Sequence, residues 1–354
     1  MKIDEYIVVT DEKYHYTTGY YTMNRWTSDG DLILTRFVDM TRKDKENPTE
    51  LVRYSVSKRC VVDVLCDNIN DFYDCVVHED MVYFCTKDAL KSVNLRNREY
   101  RTIYKFKDIC FVMPHITNDG KYISLEGHRS DDTCDFLLVN TETCTARVMF
   151  NKKFLPPFHE ADHGMICPTN HEMFFFAHEG TTQYITNRMW AYDDKKGKMG
   201  NITKQEMTED GALGEYFGHE MWASDGKGMY FVKYPQSPIK PTGLCYVDLE
   251  SGKKEVLFSG YAYWHVGVSK DGKYLVADTM RGVFEGSDLC EVVVADIEKK
   301  AENVIDVVHS TGIHPCHPHP IFSPDSSKVV YNAYENNKVV VKIAFLTMVV
   351  SNDL

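Results

Sequence analysis

A tight turn of the form Ser/Thr-x-Asp-Gly, followed at once by a short apolar strand, recurs along this chain and limits its fold more than any other feature. The clear copies begin at residues 27, 117, 223 and 269 and read TSDGDLILTRF, TNDGKYISLEG, ASDGKGMYFVKY and SKDGKYLVADT. Three further copies begin at residues 78, 168 and 323 and read HEDMVYFCT, PTNHEMFFFAH and SPDSSKVVYNAY. Successive copies are 39 to 55 residues apart, which predicts seven structural repeats.

Each repeat also carries a second hairpin signal after its first pair of strands. Examples are FLLVNTETCTARVMF at 136–150, LCYVDLESGKKEVLF at 244–258 and VVVADIEKKAENVIDVV at 292–308. The apolar residues in these segments are mostly β-branched or aromatic and form short runs, which favours strands over helices. Two hairpins per repeat make a four-stranded antiparallel blade, so the sequence predicts an all-β, seven-bladed β-propeller.

The two ends of the chain are expected to meet in the last blade. The seventh repeat ends with VVVKIAFL at 339–346, which leaves its outer strand weakly supplied, while EYIVVT at 5–10 is a strand without a blade of its own. We therefore expect the N-terminal strand to complete blade seven and close the ring. On this interpretation residues 1–354 form a single seven-bladed β-propeller domain.

Composition and charge indicate which kinds of binding partner and which cellular location to expect. The net charge of −12 argues against a nucleic-acid or membrane partner, because both favour basic surfaces. The first residues lack a basic-then-apolar signal sequence, and no run of apolar residues is long enough to span a membrane. The 11 cysteines are scattered and irregular, which predicts reduced thiols and a cytoplasmic location. The oligomeric state stays open.

Several histidines share one position in their repeats. In a propeller blade the innermost strand precedes the first turn, so residues at a fixed distance before that turn face the central channel. His219, His265 and His319 each lie six residues before the Asp of their turn, and His163 takes a similar place. With 14 histidines in the chain, chance would place fewer than one among seven such positions. This register predicts a functional cluster.

A metal site is one chemical meaning of this cluster. His317 and His319 are two residues apart and project to the same face of a strand, and His265 of the neighbouring blade can converge on them. Three imidazoles with an open position suit Zn, Mn, Fe, Co or Ni. The alternative is a set of histidines that hydrogen-bond in a tight channel without metal. His178, at the end of FFFAH, is either a ligand contact at the channel rim or a satisfied polar residue.

Three motifs together resemble one enzyme family. GHEMWASDG at 218–226, WHVGVSKDG at 264–272 and HPHPIFSPD at 317–325 are similar to segments of the oligogalacturonate lyases, seven-bladed propeller enzymes of pectin degradation. The resemblance is clearest from about residue 160 to 335.

The resemblance implies one divalent metal ion per chain, with manganese as the expected ion and Zn²⁺, Ni²⁺, Fe²⁺ and Co²⁺ as alternatives. By motif position, three metal-binding histidines fall on His265, His317 and His319. The family's fourth ligand, a glutamine, falls on His314, which would make a four-histidine site. This departure would favour a softer metal.

The resemblance also implies a reaction, β-elimination of short oligogalacturonides to 4,5-unsaturated products. The proposed base falls on His219 and the catalytic arginine on Arg188, and His163 and His178 are candidate substrate-binding residues. The expected partner is a small anionic oligosaccharide. Two other interpretations stay open: a non-catalytic TolB-like or WD-type interaction propeller, and a metal-dependent hydrolase or isomerase on the same scaffold.

Overall fold

The computed structural model of this protein describes residues 2–40, 49–279 and 286–347. Regular structure in these ranges consists of antiparallel β-strands and one 3-10 turn at Thr182–Tyr184. The strands form seven four-stranded sheets. This confirms the predicted all-β fold class, a seven-bladed β-propeller of four-stranded antiparallel blades.

The chain divides into two compact units, and the first consists of Met1–Asn68 and Gly260–Leu354. It contains the first, sixth and seventh sheets. The first sheet comprises β2 (His15–Thr17), β3 (Leu32–Phe37), β4 (Glu50–Ser55) and β5 (Cys60–Cys66). The sixth comprises β22 (Tyr263–Val268), β23 (Tyr274–Thr279), β24 (Leu289–Asp296) and β25 (Ala301–His309). The seventh comprises β26 (Ile321–Phe322), β27 (Lys328–Glu335), β28 (Lys338–Thr347) and β1 (Lys2–Val9).

The second unit, Ile69–Ser259, contains the other four sheets. The second sheet comprises β6 (Cys75–His78), β7 (Met81–Thr86), β8 (Ala89–Asn94) and β9 (Tyr100–Lys105). The third comprises β10 (Val112–Ile116), β11 (Tyr122–His128), β12 (Cys134–Asn140) and β13 (Thr145–Lys152). The fourth comprises β14 (Ala161–Cys167), β15 (Asn170–His178), β16 (Met189–Asp193) and β17 (Lys198–Asn201). The fifth comprises β18 (Phe217–Trp222), β19 (Gly228–Lys233), β20 (Gly243–Asp248) and β21 (Lys254–Phe258).

β1 is the outer strand of the seventh sheet. It pairs antiparallel with β28 from Lys2 opposite Thr347 to Val9 opposite Val341. Ile7 and Val9 are buried in a core with residues of β27 and β28. The first and last described strands of the chain are therefore hydrogen-bonded to each other. The predicted organisation as one domain stays a prediction.

The repeated turn has a local physical cause. In the copies that begin at Thr27, Thr117 and Ser269, the first residue donates a hydroxyl hydrogen bond to the Asp two residues later, which is 2.7 Å long from Ser269 to Asp271. The following glycine then adopts a left-handed conformation, with φ of +72° at Gly272. Only glycine takes this conformation without steric cost. The motif therefore fixes where each inner strand ends and the next strand begins.

Four of the inner strands, β10, β14, β18 and β22, share a second local feature, a break in the ladder just before the turn. The pairing of β14 shifts between Asp162 and Met165, and that of β18 between Gly218 and Met221. Within these breaks His163 has φ of +57° and His219 has φ of +54°. A bulge of this kind re-aims a side chain out of the regular alternation.

The cores lie between neighbouring sheets. In the second unit, for example, Phe175 and Met189 of the fourth sheet pack with Phe217 and Phe231 of the fifth. Within the described ranges, no helix has the length and hydropathy of a membrane-spanning segment.

Candidate functional site

Three histidines of the first unit come together, and their ring nitrogens form a potential metal site. β22 supplies His265, and the segment that leads into β26 supplies His317 and His319. One ring nitrogen of each lies within 4.8 Å of those of the other two. The three side chains are 1%, 4% and 0% exposed, respectively. The site is thus shielded from bulk water.

A buried carboxylate, Asp278 of β23, orients this group. It accepts a hydrogen bond from Nδ1 of His265 at 2.8 Å and from the backbone N–H of His265 at 2.9 Å. Its second oxygen accepts the backbone N–H of His319 at 3.1 Å. Because the Nδ1–H of His265 is the donor of its hydrogen bond to Asp278, Nε2 carries the ring's lone pair. Carboxylate–imidazole pairs of this kind are typical of metal-binding histidines.

His319 is oriented in a similar way by the backbone. Its Nδ1 donates to the carbonyl oxygen of Gly19 at 3.1 Å, which leaves Nε2 as the lone-pair nitrogen. Burial lowers the pKa of His319 well below its usual value, and the neighbouring imidazoles of His265 and His317 lower it further. The ring is therefore neutral at physiological pH, the state that binds a metal.

The surroundings of His317 test whether these residues fit a metal ion. Burial, and then the nearby His314, lower the pKa of His317 to about 4, so this imidazole is also neutral. Both of its ring nitrogens are buried and have no hydrogen-bond partner among the described residues. Leaving a buried polar atom unsatisfied costs about 1–3 kcal/mol. A metal ion would satisfy such a nitrogen, and we conclude that the donor set fits a divalent transition metal.

His314 lies beside this group but outside it. Its ring centroid is 4.1 Å from that of His317 and 5.5 Å from that of His319. It is solvent-exposed, and the three nitrogens that lie within 4.8 Å of one another belong to the other histidines. The structure therefore brings three of the four predicted ligands together, and the role of His314 as a fourth ligand stays a prediction.

Aromatic rings pack around the three histidines. The ring of Tyr20 is 4.9 Å from that of His319, and the ring of Tyr21 is 5.1 Å from that of His265. Trp264 stacks within 4.9 Å of His265. The sequence did not reveal the two tyrosines, because they lie in a loop after β2 that carries no motif. Their phenol rings make one side of the site.

A second set of predicted residues lies in the second unit. His219 of β18 is partly exposed, and its Nδ1 is 2.7 Å from the hydroxyl oxygen of Tyr234. The neighbouring Glu220 is buried and accepts a hydrogen bond from Nε of Arg188 at 2.7 Å. Nη1 of Arg188 is 2.8 Å from the carboxylate of Glu179. The predicted base and the predicted arginine are therefore connected through Glu220.

Arg188 is held firmly in this network. It is buried, and despite that burial the two glutamates keep the pKa of its guanidinium well above its usual value. Its charge is thus permanent, and two carboxylates already neutralise it. Glu179 and Glu220 lie in the sequence segments AHEG and GHE-W, but no spacing rule predicts that both reach the same guanidinium.

His163 and His178 flank the same network. Nε2 of His163 is 3.4 Å from Glu179. Burial lowers the pKa of His163, but Asp162 and Glu179 outweigh it and raise that pKa to about 9. Nε2 of His178 is 2.7 Å from the carbonyl oxygen of Phe158, and its ring stacks on Phe154 at 3.8 Å. The second histidine is thus satisfied by the protein itself, and the substrate-binding role of both stays a prediction.

The fold and the site define a class, a seven-bladed β-propeller with a buried three-histidine group. No model of a protein family matches the sequence. Over 205 residues, or 51% of this chain, it is 25% identical to the oligogalacturonide lyase of Pectobacterium atrosepticum. That match spans about half of the relative's own length, 49%.

Two solved structures share the fold over almost the whole chain. One is an oligogalacturonate lyase in complex with manganese, with a TM-score of 0.80 and 17% identity over 97% of this chain and 93% of that one. The other is an oligogalacturonate lyase from Vibrio parahaemolyticus, with a TM-score of 0.79 and 17% identity over 98% of this chain and 99% of that one. The resemblance to the oligogalacturonate lyases that the motifs indicated is thereby confirmed.

Proposed function

We propose that this protein is a metal-dependent lyase that cleaves short oligogalacturonides by β-elimination and leaves 4,5-unsaturated products. The observation that carries the proposal is the buried group of His265, His317 and His319, with Asp278 behind it and the nitrogens of His317 unsatisfied. The likeness in sequence and fold to lyases of this name supports the choice of substrate.

His265, His317 and His319 would hold one divalent ion, with His314 as the proposed fourth ligand. We propose manganese, because one of the similar structures is a manganese complex and neutral imidazoles accept that ion, while Zn²⁺, Ni²⁺, Fe²⁺ and Co²⁺ are alternatives. When bound, the ion supplies positive charge that neutralises a uronate carboxylate and favours loss of the adjacent C5 proton.

His219 is the proposed base. If its Nδ1–H donates to the oxygen of Tyr234, 2.7 Å away, Nε2 carries the lone pair that accepts the C5 proton. The electrons of the C5–H bond then form the C4–C5 double bond, the C4–O bond breaks, and the leaving oxygen takes up a proton. An imidazole is suited to this task because its pKa lies close to neutrality.

Arg188 is the proposed catalytic arginine beside the base. All three guanidinium nitrogens already contact a carboxylate, Nε and Nη2 that of Glu220 and Nη1 that of Glu179. We therefore propose that Arg188 acts mainly by holding the strand segment that carries His219. His163 and His178 are the proposed contacts to the sugar. An oligosaccharide of uronic acids is small and anionic, so the acidic chain would bind it through these local groups.

We also propose a cytoplasmic location, where short imported oligomers would be degraded as part of carbohydrate metabolism. The structure buries seven of the eleven cysteines, which supports thiols that stay reduced.

The test combines metal content with product analysis. Purified protein should contain one divalent ion per chain at the histidine group, and His317→Ala should remove it. With di- and trigalacturonate the metal-loaded protein should generate the ultraviolet absorbance of a conjugated unsaturated uronate. Metal-free protein that stays folded and cannot be loaded would overturn the metal centre. New reducing ends without that absorbance would show hydrolysis in place of elimination.

A further inference from the structure

A second group of potential metal ligands lies in the second unit, on two neighbouring sheets. Glu126 and His128 are two residues apart on β11, so their side chains share a face of that strand. Asp162 lies on β14, the inner strand of the next sheet. One ligand atom of each lies within 4.8 Å of the others. These three residues are called the Glu126 group below.

The backbone of β14 sets this arrangement. Its N–H groups donate to side chains of β11 at alternate positions, Ile166 to Ser124 at 3.1 Å and Gly164 to Glu126 at 2.7 Å. Two residues before Gly164, on the other side of the break in the ladder at His163, Asp162 lies beside His128, with Oδ1 and Nε2 3.8 Å apart. The buried member of the group, Glu126, is therefore held in place by a main-chain hydrogen bond from β14.

The group has a buried floor and an open side. Glu126 is only 2% exposed, whereas the side chains of His128 and Asp162 are 39% and 27% exposed. Burial and the neighbouring Asp162 carboxylate raise the pKa of Glu126 well above its usual value. Two carboxyl groups this close need a shared proton or a cation between them. An ion could enter from the side of His128.

We propose that Glu126, His128 and Asp162 form a second site for a divalent first-row transition-metal ion, which joins β11 to β14. Two carboxylate oxygens and one imidazole nitrogen suit Mn²⁺ or Zn²⁺, and water would fill the remaining positions on the open side. Ca²⁺ is less suited, because it takes six to eight oxygen ligands. The imidazole of His163, next to Asp162, pairs with Glu179 and is not a member of the group.

The experiment titrates metal-free full-length protein with MnCl₂ alone and counts bound ions by equilibrium dialysis with elemental analysis. Glu126→Gln and Asp162→Asn keep shape and remove charge, and His128→Ala removes an exposed imidazole at the end of β11. Glu209→Gln, on an exposed turn of the same unit, is the matched control. Each of the three variants should bind one ion fewer than the wild type, and the control should bind the same number.

Thermal unfolding supplies a second readout. Mn²⁺ should raise the Tm of wild type and control by more than that of His128→Ala, because an ion that binds only the folded state stabilises it. Equal ion counts and equal Tm shifts in wild type and all three variants would overturn the second site. The histidine centre is tested separately, since His317→Ala should remove its ion and leave the ion of the Glu126 group in place.

Discussion

At the scale of single residues, the two sets of histidines differ in what holds their ring nitrogens. A buried carboxylate, Asp278, accepts a hydrogen bond from Nδ1–H of His265, and this raises the ring's strength as a metal ligand. A neutral phenol, Tyr234, contacts Nδ1 of the partly exposed His219. The first environment suits a ligand, and the second surrounds the histidine that we propose as the base.

The first prediction concerns this division of roles. His219→Ala should lower kcat by about 10²–10⁴-fold, the usual contribution of a general base, while the metal content stays unchanged. Tyr234→Phe removes only the hydroxyl and should lower kcat by a smaller factor with KM unchanged. Steady-state kinetics with trigalacturonate and elemental analysis of each variant measure both. Tyr246→Phe, at a partly buried ring of the same sheet, is the control.

Loss of metal in His219→Ala would contradict this division, because it would make His219 a ligand. A kcat of Tyr234→Phe equal to that of the wild type would show that the hydroxyl does not orient the base.

Some residues of the candidate site could be predicted from the sequence and others could not, for a physical reason. His317 and His319 could be paired because a strand repeats every two residues, and His265 because it shares their register in the neighbouring repeat. Asp278 and the loop residue Tyr20 could not be found this way. They reach the histidines from a second strand and from an irregular loop, and no periodicity along the chain encodes such contacts.

At the scale of elements, the turn and the bulge together decide where an inner strand points its side chains. The turn was visible in the sequence because it needs Asp and Gly at fixed positions. The bulge was not, because positive φ is uncommon for any residue other than glycine, and no sequence pattern marks it at His163, His219 and His319. Tertiary packing imposes this conformation. The shared distance from the turn therefore predicted where these histidines lie along their strands, but not the direction in which their rings point.

The second prediction uses two glycines of the repeated turn. Gly226 and Gly272 have φ of +70° and +72°, and a side chain at either position costs about 1–2 kcal/mol of conformational strain. A Cβ at Gly226 would also lie 2.2 Å from Oγ1 of Thr169, whereas one at Gly272 would meet nothing within 4 Å. Gly226→Ala should therefore lower the free energy of unfolding more than Gly272→Ala does.

Urea unfolding of both variants against the wild type measures this difference. If the two variants lose the same free energy of unfolding, Thr169 and its sheet move aside for the added methyl group. Backbone strain alone would then account for the loss of stability.

At the scale of the whole molecule, the repeat spacing and the two hairpin signals in each repeat were sufficient to predict seven four-stranded blades. A blade cannot bury its own faces, so seven similar segments must pack on one another. The seventh sheet is the exception to one segment per blade, since β1 supplies its outer strand. This pairing of distant strands could be anticipated because the seventh repeat had no clear outer strand. The strand at residues 5–10 belonged to no repeat.

The third prediction tests this sheet through two adjacent residues of β1. Ile7 is 5% exposed and packs in the core, while Val8 is 40% exposed and points to the other face. Ile7→Ala should lower the free energy of unfolding by about 2–5 kcal/mol, and Val8→Ala should change it by roughly 0.5 kcal/mol or less. Chemical denaturation measures both. A similar loss of free energy of unfolding in the two variants would contradict this prediction. It would show that β1 pairs with the sheet but does not bury one face in the core.

The pairing of β1 with β28 has a consequence for how the protein is made. Lys2 lies 345 residues before its partner Thr347 in the chain, so the ribosome makes it long before that partner. At about 5–20 residues per second, β1 waits roughly 20 to 70 s for the strand it pairs with. During synthesis its hydrogen-bonding edge and its apolar face are uncovered. The seventh sheet can therefore be completed only after β28 has been made, and a nascent chain stalled before residue 338 would leave β1 without its partner strand.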